Sequence, residues 1–181
     1  MGSWPLSDDY LVGDGVGDSL AGELSGLDEG VRLYDFDRMV REMAPDAVPK
    51  SVDCLALDEG WVFLIEFKRM PGKGDPRRRE VLESIKLKAV ESLHLCGRFL
   101  PKAMEGRRTF LIVVEQDPAA EITDMLTLPD GSFNVPGYLG RYMGTDVSGE
   151  RMFFDQVASM HSRTFTGFAN RRFVTSDVRI R

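Results

Sequence analysis

The segment WVFLIEFKRM, residues 61–70, ends in side chains that could bind a cation and a phosphate. Trp61 to Ile65 is an apolar run, and Glu66 and Lys68 follow it two residues apart. Residues two apart in a strand point to the same face, so an acid and a base would lie side by side there. Either they form part of a site, or they leave the core at the end of the strand and pair locally.

A predicted hairpin places a second carboxylate opposite Glu66. KSVDCLAL (50–57) is predicted to be a strand, Asp58-Glu59-Gly60 a turn, and 61–69 the partner strand. A two-residue turn or a four-residue loop pairs Asp53 with Glu66, with Cβ atoms about 4.5–5.5 Å apart. A three-residue loop with a bulge would shift the register by one residue and separate the two acids.

Opposed carboxylates favour a bound cation. Like charges that face each other in a sheet are destabilising, and burial raises the cost further. Asp53, Glu66 and the main-chain carbonyl of Phe67 are oxygen ligands that suit Mg²⁺ or Mn²⁺ better than zinc. Lys68 could then orient an attacking water or counter the charge that develops on a phosphate.

A helix is predicted over residues 77–96, and it carries a second lysine that could lie near the two carboxylates. Its apolar stripe on a helical wheel consists of Val81, Leu82, Ile85, Ala89, Ser92, Leu93 and Cys96. Lys88 falls inside the edge of this stripe. Its ammonium could reach water along the apolar surface, which is the commoner case. Alternatively, the helix packs on the hairpin and points Lys88 toward the two carboxylates.

These residues resemble the PD-(D/E)XK nuclease superfamily over roughly 36–116. The pattern is Asp53, twelve intervening residues and Glu66-Phe67-Lys68, followed by a helix and a buried strand at 108–116. The resemblance implies an α/β fold with a restriction-endonuclease-like core, in which helices flank a central mixed β-sheet. It also implies that Asp53 and Glu66 bind Mg²⁺ or Mn²⁺, that Lys68 assists the attacking water, and that Lys88 is a catalytic helix residue.

The sequence departs from the superfamily pattern before Asp53. Val52 stands where the motif has proline, and only PDAVPKSV separates the first predicted helix from Asp53. This leaves little room for the strand that usually lies there. Glu42, on the helix predicted over 36–44, is the best candidate for the upstream acidic metal ligand, and Glu23 is a poorer one.

The charges of the chain are unevenly distributed. Residues 1–66 carry 15 acidic and 4 basic side chains, whereas residues 67–108 carry 5 acidic and 12 basic ones. The basic block that follows the site strand comprises Lys73, Arg77, Arg78 and Arg79. It is expected to contact the phosphates of nucleic acid, and DNA is favoured over RNA without excluding RNA. An ordinary solvated helix of mixed charge is the alternative interpretation.

The 181 residues fit one domain with a substantial core. We expect an acidic, glycine-rich, partly ordered leader over 1–30 and a single α/β domain over 31–181, with a last helix near 151–168. Cys54 and Cys96 are expected to be reduced, packed thiols. The sequence shows no membrane span or signal pattern, so a cytoplasmic protein is expected, and homodimerisation stays open.

Two functions follow from these features. The first is a metal-dependent nuclease that hydrolyses phosphodiester bonds. The second is a catalytically inactive protein of the same fold that acts as a binding module, which the net charge of −6 and the shortened segment before Asp53 favour. A small-molecule enzyme has no motif behind it, because the chain lacks nucleotide-binding and hydrolase signatures.

Overall fold

In the computed structural model of the chain, the described residues contain seven strands and three helices, which position the candidate site. The structure describes residues 6, 8–12, 24, 26–45, 49–71, 75–115, 126–127, 133–134, 143–144 and 153–174. The strands are β1 Tyr34–Asp35, β2 Cys54–Asp58, β3 Trp61–Arg69, β4 Arg107–Glu115, β5 Leu126–Thr127, β6 Phe133–Asn134 and β7 Gln156–His161. The helices are α1 Phe36–Met43, α2 Arg77–Phe99 and α3 Ser162–Arg172, with short 3₁₀ turns at Asp8–Tyr10 and Ala103–Glu105.

The strands form one mixed sheet in the order β1-β2-β3-β4-β7-β6-β5. Strands β3, β4 and β7 are parallel, and the outer strands pair antiparallel. The long helix α2 supplies the crossover that a parallel β3–β4 pair needs. An α/β fold with a mixed sheet flanked by helices is therefore confirmed.

The β2–β3 hairpin has the register predicted from its turn. Cys54 pairs with Ile65 and Asp58 pairs with Trp61, so the next pair outward is Asp53 and Glu66. Gly60 closes the two-residue turn with a φ of +82°, a conformation that side chains other than glycine rarely adopt. The predicted strand over 50–57 was too long, because β2 begins only at Cys54.

Strands β3 and β4 are buried on both faces. Leu64 and Phe110 pack with α1 and with Ile85 and Ala89 of α2 in one apolar cluster. On the opposite face, Ile65 and Leu111 pack with α3 in another, which includes Phe165 and Ala169. The alternation along β3 therefore places Glu66 and Lys68 on the α2 side.

The helix predicted near 151–168 was wrong in its first half. Residues Gln156–His161 form β7, and the helix begins only at Ser162. Val157 packs on the α2 side while Ala158 and Met160 pack on the α3 side. Phe154, Val157 and Met160 are three residues apart, so their spacing imitates that of a helix.

The structure tests the prediction for the two cysteines but not the predicted domain boundary. Cys54 and Cys96 are buried and are not joined in a disulfide, as expected of packed thiols. Most of the predicted leader, 1–30, lies outside the described residues, so the domain boundary stays a prediction. Within the part of the chain that is described, no helix is both long and apolar enough to cross a membrane.

Candidate functional site

Four of the residues singled out in the sequence form one cluster between β3 and α2. The Lys88 ammonium lies 2.9 Å from the Glu66 carboxylate and 3.4 Å from Oδ1 of Asp53. Lys68 Nζ lies 3.5 Å from Oε1 of Glu66. Of the two interpretations of Lys88, the structure therefore supports the one in which α2 points it toward the carboxylates.

One side of the cluster is buried, and the other side is exposed to solvent. The Glu66 side chain is fully buried, whereas 20% of the Asp53 side chain is exposed. The side chains of Lys88 and Lys68 are 21% and 27% exposed. A ligand can therefore approach Asp53 and both lysines from solvent, while Glu66 lies on the buried side of the cluster.

Burial and charge together shift the proton affinities of the cluster. Burial, reinforced by the negative charge of Asp53 and opposed by Lys88 and Lys68, raises the pKa of Glu66 to about 7. Burial lowers the pKa of Lys88, but the carboxylates of Glu66 and Asp53 outweigh it and the net change is upward. Lys88 is thus charged at neutral pH, while Glu66 is poised between its two forms.

The segment before Asp53 is anchored to α2 instead of pairing as a strand. The N–H of Lys50 donates to the Glu91 carboxylate at 2.6 Å. The buried N–H of Val52 donates to the Ser92 hydroxyl at 2.8 Å. Glu91 and Ser92 follow Lys88 by three and four residues, so one face of α2 provides both anchors and the cluster lysine.

Helix α1 holds the same segment from the other side. The Ser51 hydroxyl donates to the Asp37 carboxylate at 2.6 Å, and the carbonyl of Asp53 accepts from the N–H of Phe36 at 3.0 Å. Sequence reasoning missed these anchoring residues. Ser92 carried a recognisable signal, because it was the polar residue within the apolar stripe of α2.

Phe67 contributes its main chain to the site. Its N–H donates to Oδ2 of Asp53 at 2.7 Å, at the edge of β3 just beyond the end of β2. The N–H and C=O of one strand residue point to the same side, as paired residues of antiparallel strands require. The Phe67 carbonyl therefore faces the Asp53 side of β3, as a ligand of a cation there must.

Glu42, the predicted upstream acid, is not brought to this cluster. Its carboxylate accepts hydrogen bonds from the Tyr10 hydroxyl at 2.8 Å and from Nε of Arg38 at 2.9 Å. These two hydrogen bonds lower the pKa of Glu42, and both are exposed to solvent. Glu23 lies outside the described residues.

The predicted basic block lies at the start of α2. Arg77 is exposed and pairs with Asp75 at 2.7 Å, and Arg78 donates to the carbonyl of Pro71 at 2.9 Å. Arg79 is also exposed, and Lys73 lies outside the described residues. With a rise of about 1.5 Å per residue, Arg79 begins roughly 13 Å along the helix axis from Lys88.

The donor atoms of the cluster decide which cation it could hold. In the described ranges, no group of three or more acidic, histidine or cysteine side chains could hold a metal. Asp53 and Glu66 with the Phe67 carbonyl still fit Mg²⁺ or Mn²⁺, which often binds through one or two carboxylates and keeps several waters. The set lacks the nitrogen and sulfur ligands of a zinc site.

Comparisons with protein-family models, with curated proteins and with solved structures found no match to this chain. The functional interpretation therefore depends on the geometry of the site itself.

Proposed function

We propose that the protein is a divalent-metal-dependent nuclease that hydrolyses phosphodiester bonds of nucleic acid. The observation that carries this proposal is the register that sets Asp53 opposite Glu66, with Lys68 two residues further along the same face. This arrangement of two acids and a lysine at the end of a strand supports a restriction-endonuclease-like core of the PD-(D/E)XK type.

In this proposal, Asp53, Glu66 and the Phe67 carbonyl hold Mg²⁺ or Mn²⁺. The bound cation supplies Lewis-acid stabilisation of the reacting phosphate. The cost of opposing two carboxylates favours such a role, because two like charges that face each other in a sheet destabilise it unless positive charge compensates them.

In this proposal, Lys68 acts directly on the reacting atoms. Its ammonium is partly exposed and lies at the open side of the cluster. From there it can donate a hydrogen bond to the attacking water or to a phosphate oxygen and stabilise negative charge in the transition state. The water oxygen bonds to phosphorus as one P–O ester bond breaks, which yields a phosphate monoester and a hydroxyl.

The distance to the basic block favours a polymer over a small phosphodiester. Arg77 and Arg79 lie at the start of α2, and Arg79 is roughly 13 Å along the helix axis from Lys88. A phosphate at the cluster and one at the block therefore belong to different nucleotides. The resemblance to nucleases favours DNA over RNA, and a homodimer is compatible with the proposal.

A catalytically inactive binding module is the second candidate. The ammonium of Lys88 already lies between the two carboxylates and neutralises part of their charge. A protein that has replaced its metal by a lysine would keep the fold and the basic block but would not hydrolyse its ligand.

Metal-induced stabilisation distinguishes these two functions. Thermal unfolding of the wild type would be followed with and without Mg²⁺ or Mn²⁺, beside Glu66→Ala. A cation that binds only the native state stabilises it by about 2.7 kcal/mol at a concentration of 100 Kd. We expect this shift in the wild type and its loss in Glu66→Ala.

Glu42→Ala is the matched control for this experiment. It removes an acid that the structure keeps outside the cluster, so we expect the full metal-induced shift. A shift that disappears in Glu42→Ala would show that Glu42 is a ligand after all. A wild type that no divalent cation stabilises would favour the inactive binding module.

A further inference from the structure

The Lys88 ammonium occupies the space that a bridging cation needs. Nζ lies 2.9 Å from the Glu66 carboxylate and 3.4 Å from Oδ1 of Asp53. Mg²⁺ binds its oxygen ligands at about 2.0–2.1 Å, so a cation shared by both acids must lie between the same oxygens. The ammonium and the divalent cation therefore compete for one position.

The charges of the cluster lead to the same conclusion. Asp53 and Glu66 can carry two negative charges, and Lys88 and Lys68 carry two positive ones. A divalent cation added with both lysines in place would leave a large positive excess in a partly buried site, where repulsion is poorly screened. Release of Lys88 reduces that excess.

The Lys88 ammonium can move from the cluster into solvent. Its side chain is 21% exposed and starts from the edge of α2, between the buried Ala89 and the exposed Leu87. A lysine stem has four flexible carbons and readily keeps its ammonium in water. Side-chain rotation alone can therefore free the position without moving the helix.

We propose that Lys88 is a resident counter-cation, which a divalent metal must displace before the site is loaded. The displaced ammonium then lies at the open side of the cluster, where it can bind a phosphate oxygen of the substrate. This inference rests on the proposed metal site and adds a mechanism that sets its metal affinity. A variant without the ammonium should bind metal more tightly than the wild type does.

Calorimetric titration with Mn²⁺ tests this directly, without any cleavage assay. Lys88→Met removes the charge and keeps most of the side-chain volume, and Lys86→Met is the matched control on the same helix. With all proteins at the same pH, we expect Lys88→Met to bind Mn²⁺ at least about tenfold more tightly than the wild type, because the competing positive charge is gone. Lys86→Met should bind Mn²⁺ like the wild type.

The outcomes separate this inference from the proposed function. Equal or weaker binding by Lys88→Met, with clear binding by the wild type, would overturn the displacement of Lys88 and leave the metal site standing. Absence of binding in both proteins would overturn the metal site, and the inference with it.

Chemical labelling of lysines gives a second, independent readout. An amine-reactive reagent followed by peptide mass spectrometry reports how accessible each ammonium is. We expect Mn²⁺ to increase labelling of Lys88 several-fold while Lys86 stays unchanged. Unchanged or reduced labelling of Lys88 at saturating Mn²⁺ would show that the lysine stays in place and would contradict the inference.

Discussion

The hydroxyl of Ser92 accepts a 2.8 Å hydrogen bond from the buried N–H of Val52, the residue immediately before Asp53. This bond replaces the strand pairing that the short segment before Asp53 cannot make. It also connects the position of one carboxylate to the helix that carries Lys88. The geometry of the site therefore depends on how α2 packs on the hairpin.

Ser92→Ala should destabilise the protein. It leaves the Val52 N–H buried without an acceptor, which costs about 1–3 kcal/mol of unfolding free energy. Urea unfolding measures the loss. Ser84→Ala is the control, because it makes the same gain in helix propensity, up to roughly 0.7 kcal/mol, without removing this bond. Equal effects of the two substitutions would show that the Ser92 bond contributes nothing.

Glu66 should make the stability of the metal-free protein depend on pH. The folded pKa of about 7 lies above the ordinary value of 4.5, so the folded state retains a proton that the unfolded state has lost. Wild-type stability relative to Glu66→Gln should therefore fall as pH rises from 4.5 to about 7, by up to roughly 3 kcal/mol. Unfolding in the presence of a chelator, at several pH values, measures this. A difference that does not change with pH would contradict the raised pKa.

His161 should make the stability of the protein fall as the pH drops, which is opposite to the effect of Glu66. Its Nδ1 accepts a 3.0 Å hydrogen bond from the N–H of Arg163 at the start of α3. Burial and the charge of Arg163 lower the pKa of His161 below 6.5, so the folded state resists protonation. Stability should fall as pH drops through 6.5 toward that lower pKa, because protonation removes the acceptor.

His161→Asn is the matched variant for this prediction. Asparagine accepts the same type of hydrogen bond at a helix start but does not titrate. Between about pH 8 and pH 5, the wild type should lose more unfolding free energy than His161→Asn. Parallel curves for the two proteins would contradict the prediction.

The arginines at the start of α2 should strengthen binding to phosphates. Replacing Arg77 and Arg79 by alanine should weaken DNA binding and lower the slope of log affinity against log salt by about one for each phosphate that is no longer neutralised. Arg98→Ala is the control, since Arg98 is exposed near the far end of the same helix. Fluorescence anisotropy at several salt concentrations measures both effects. An unchanged slope in the double variant would show that neither arginine neutralises a phosphate.

The part of the site that lies within a hairpin could be predicted from the sequence. Turn length fixes strand register, so the length of the turn alone is enough to place Asp53 opposite Glu66. The helical wheel likewise identified Lys88 as a residue that could face the carboxylates. Both predictions depended on short-range geometry.

Features that depend on tertiary packing could not be predicted. Whether Val52 pairs with a strand or with Ser92 depends on how α2 packs, which local sequence does not encode. Glu42 has a suitable position in the sequence, but in the structure its carboxylate is hydrogen-bonded to Tyr10 and Arg38 instead of facing Asp53 and Glu66. β7 was mistaken for a helix because Phe154, Val157 and Met160 recur at helical spacing, although the strand is buried on both faces.

Cleavage of labelled nucleic acid in the presence of Mn²⁺ or Mg²⁺ tests whether the protein is a nuclease, with single- and double-stranded DNA and RNA as parallel substrates. We predict metal-dependent cleavage by the wild type and a loss of about 100-fold or more in Lys68→Met. The variant should still fold and show the metal-induced thermal shift. Absence of cleavage of any polymer by a wild type that binds metal, or undiminished cleavage by Lys68→Met, would contradict the account.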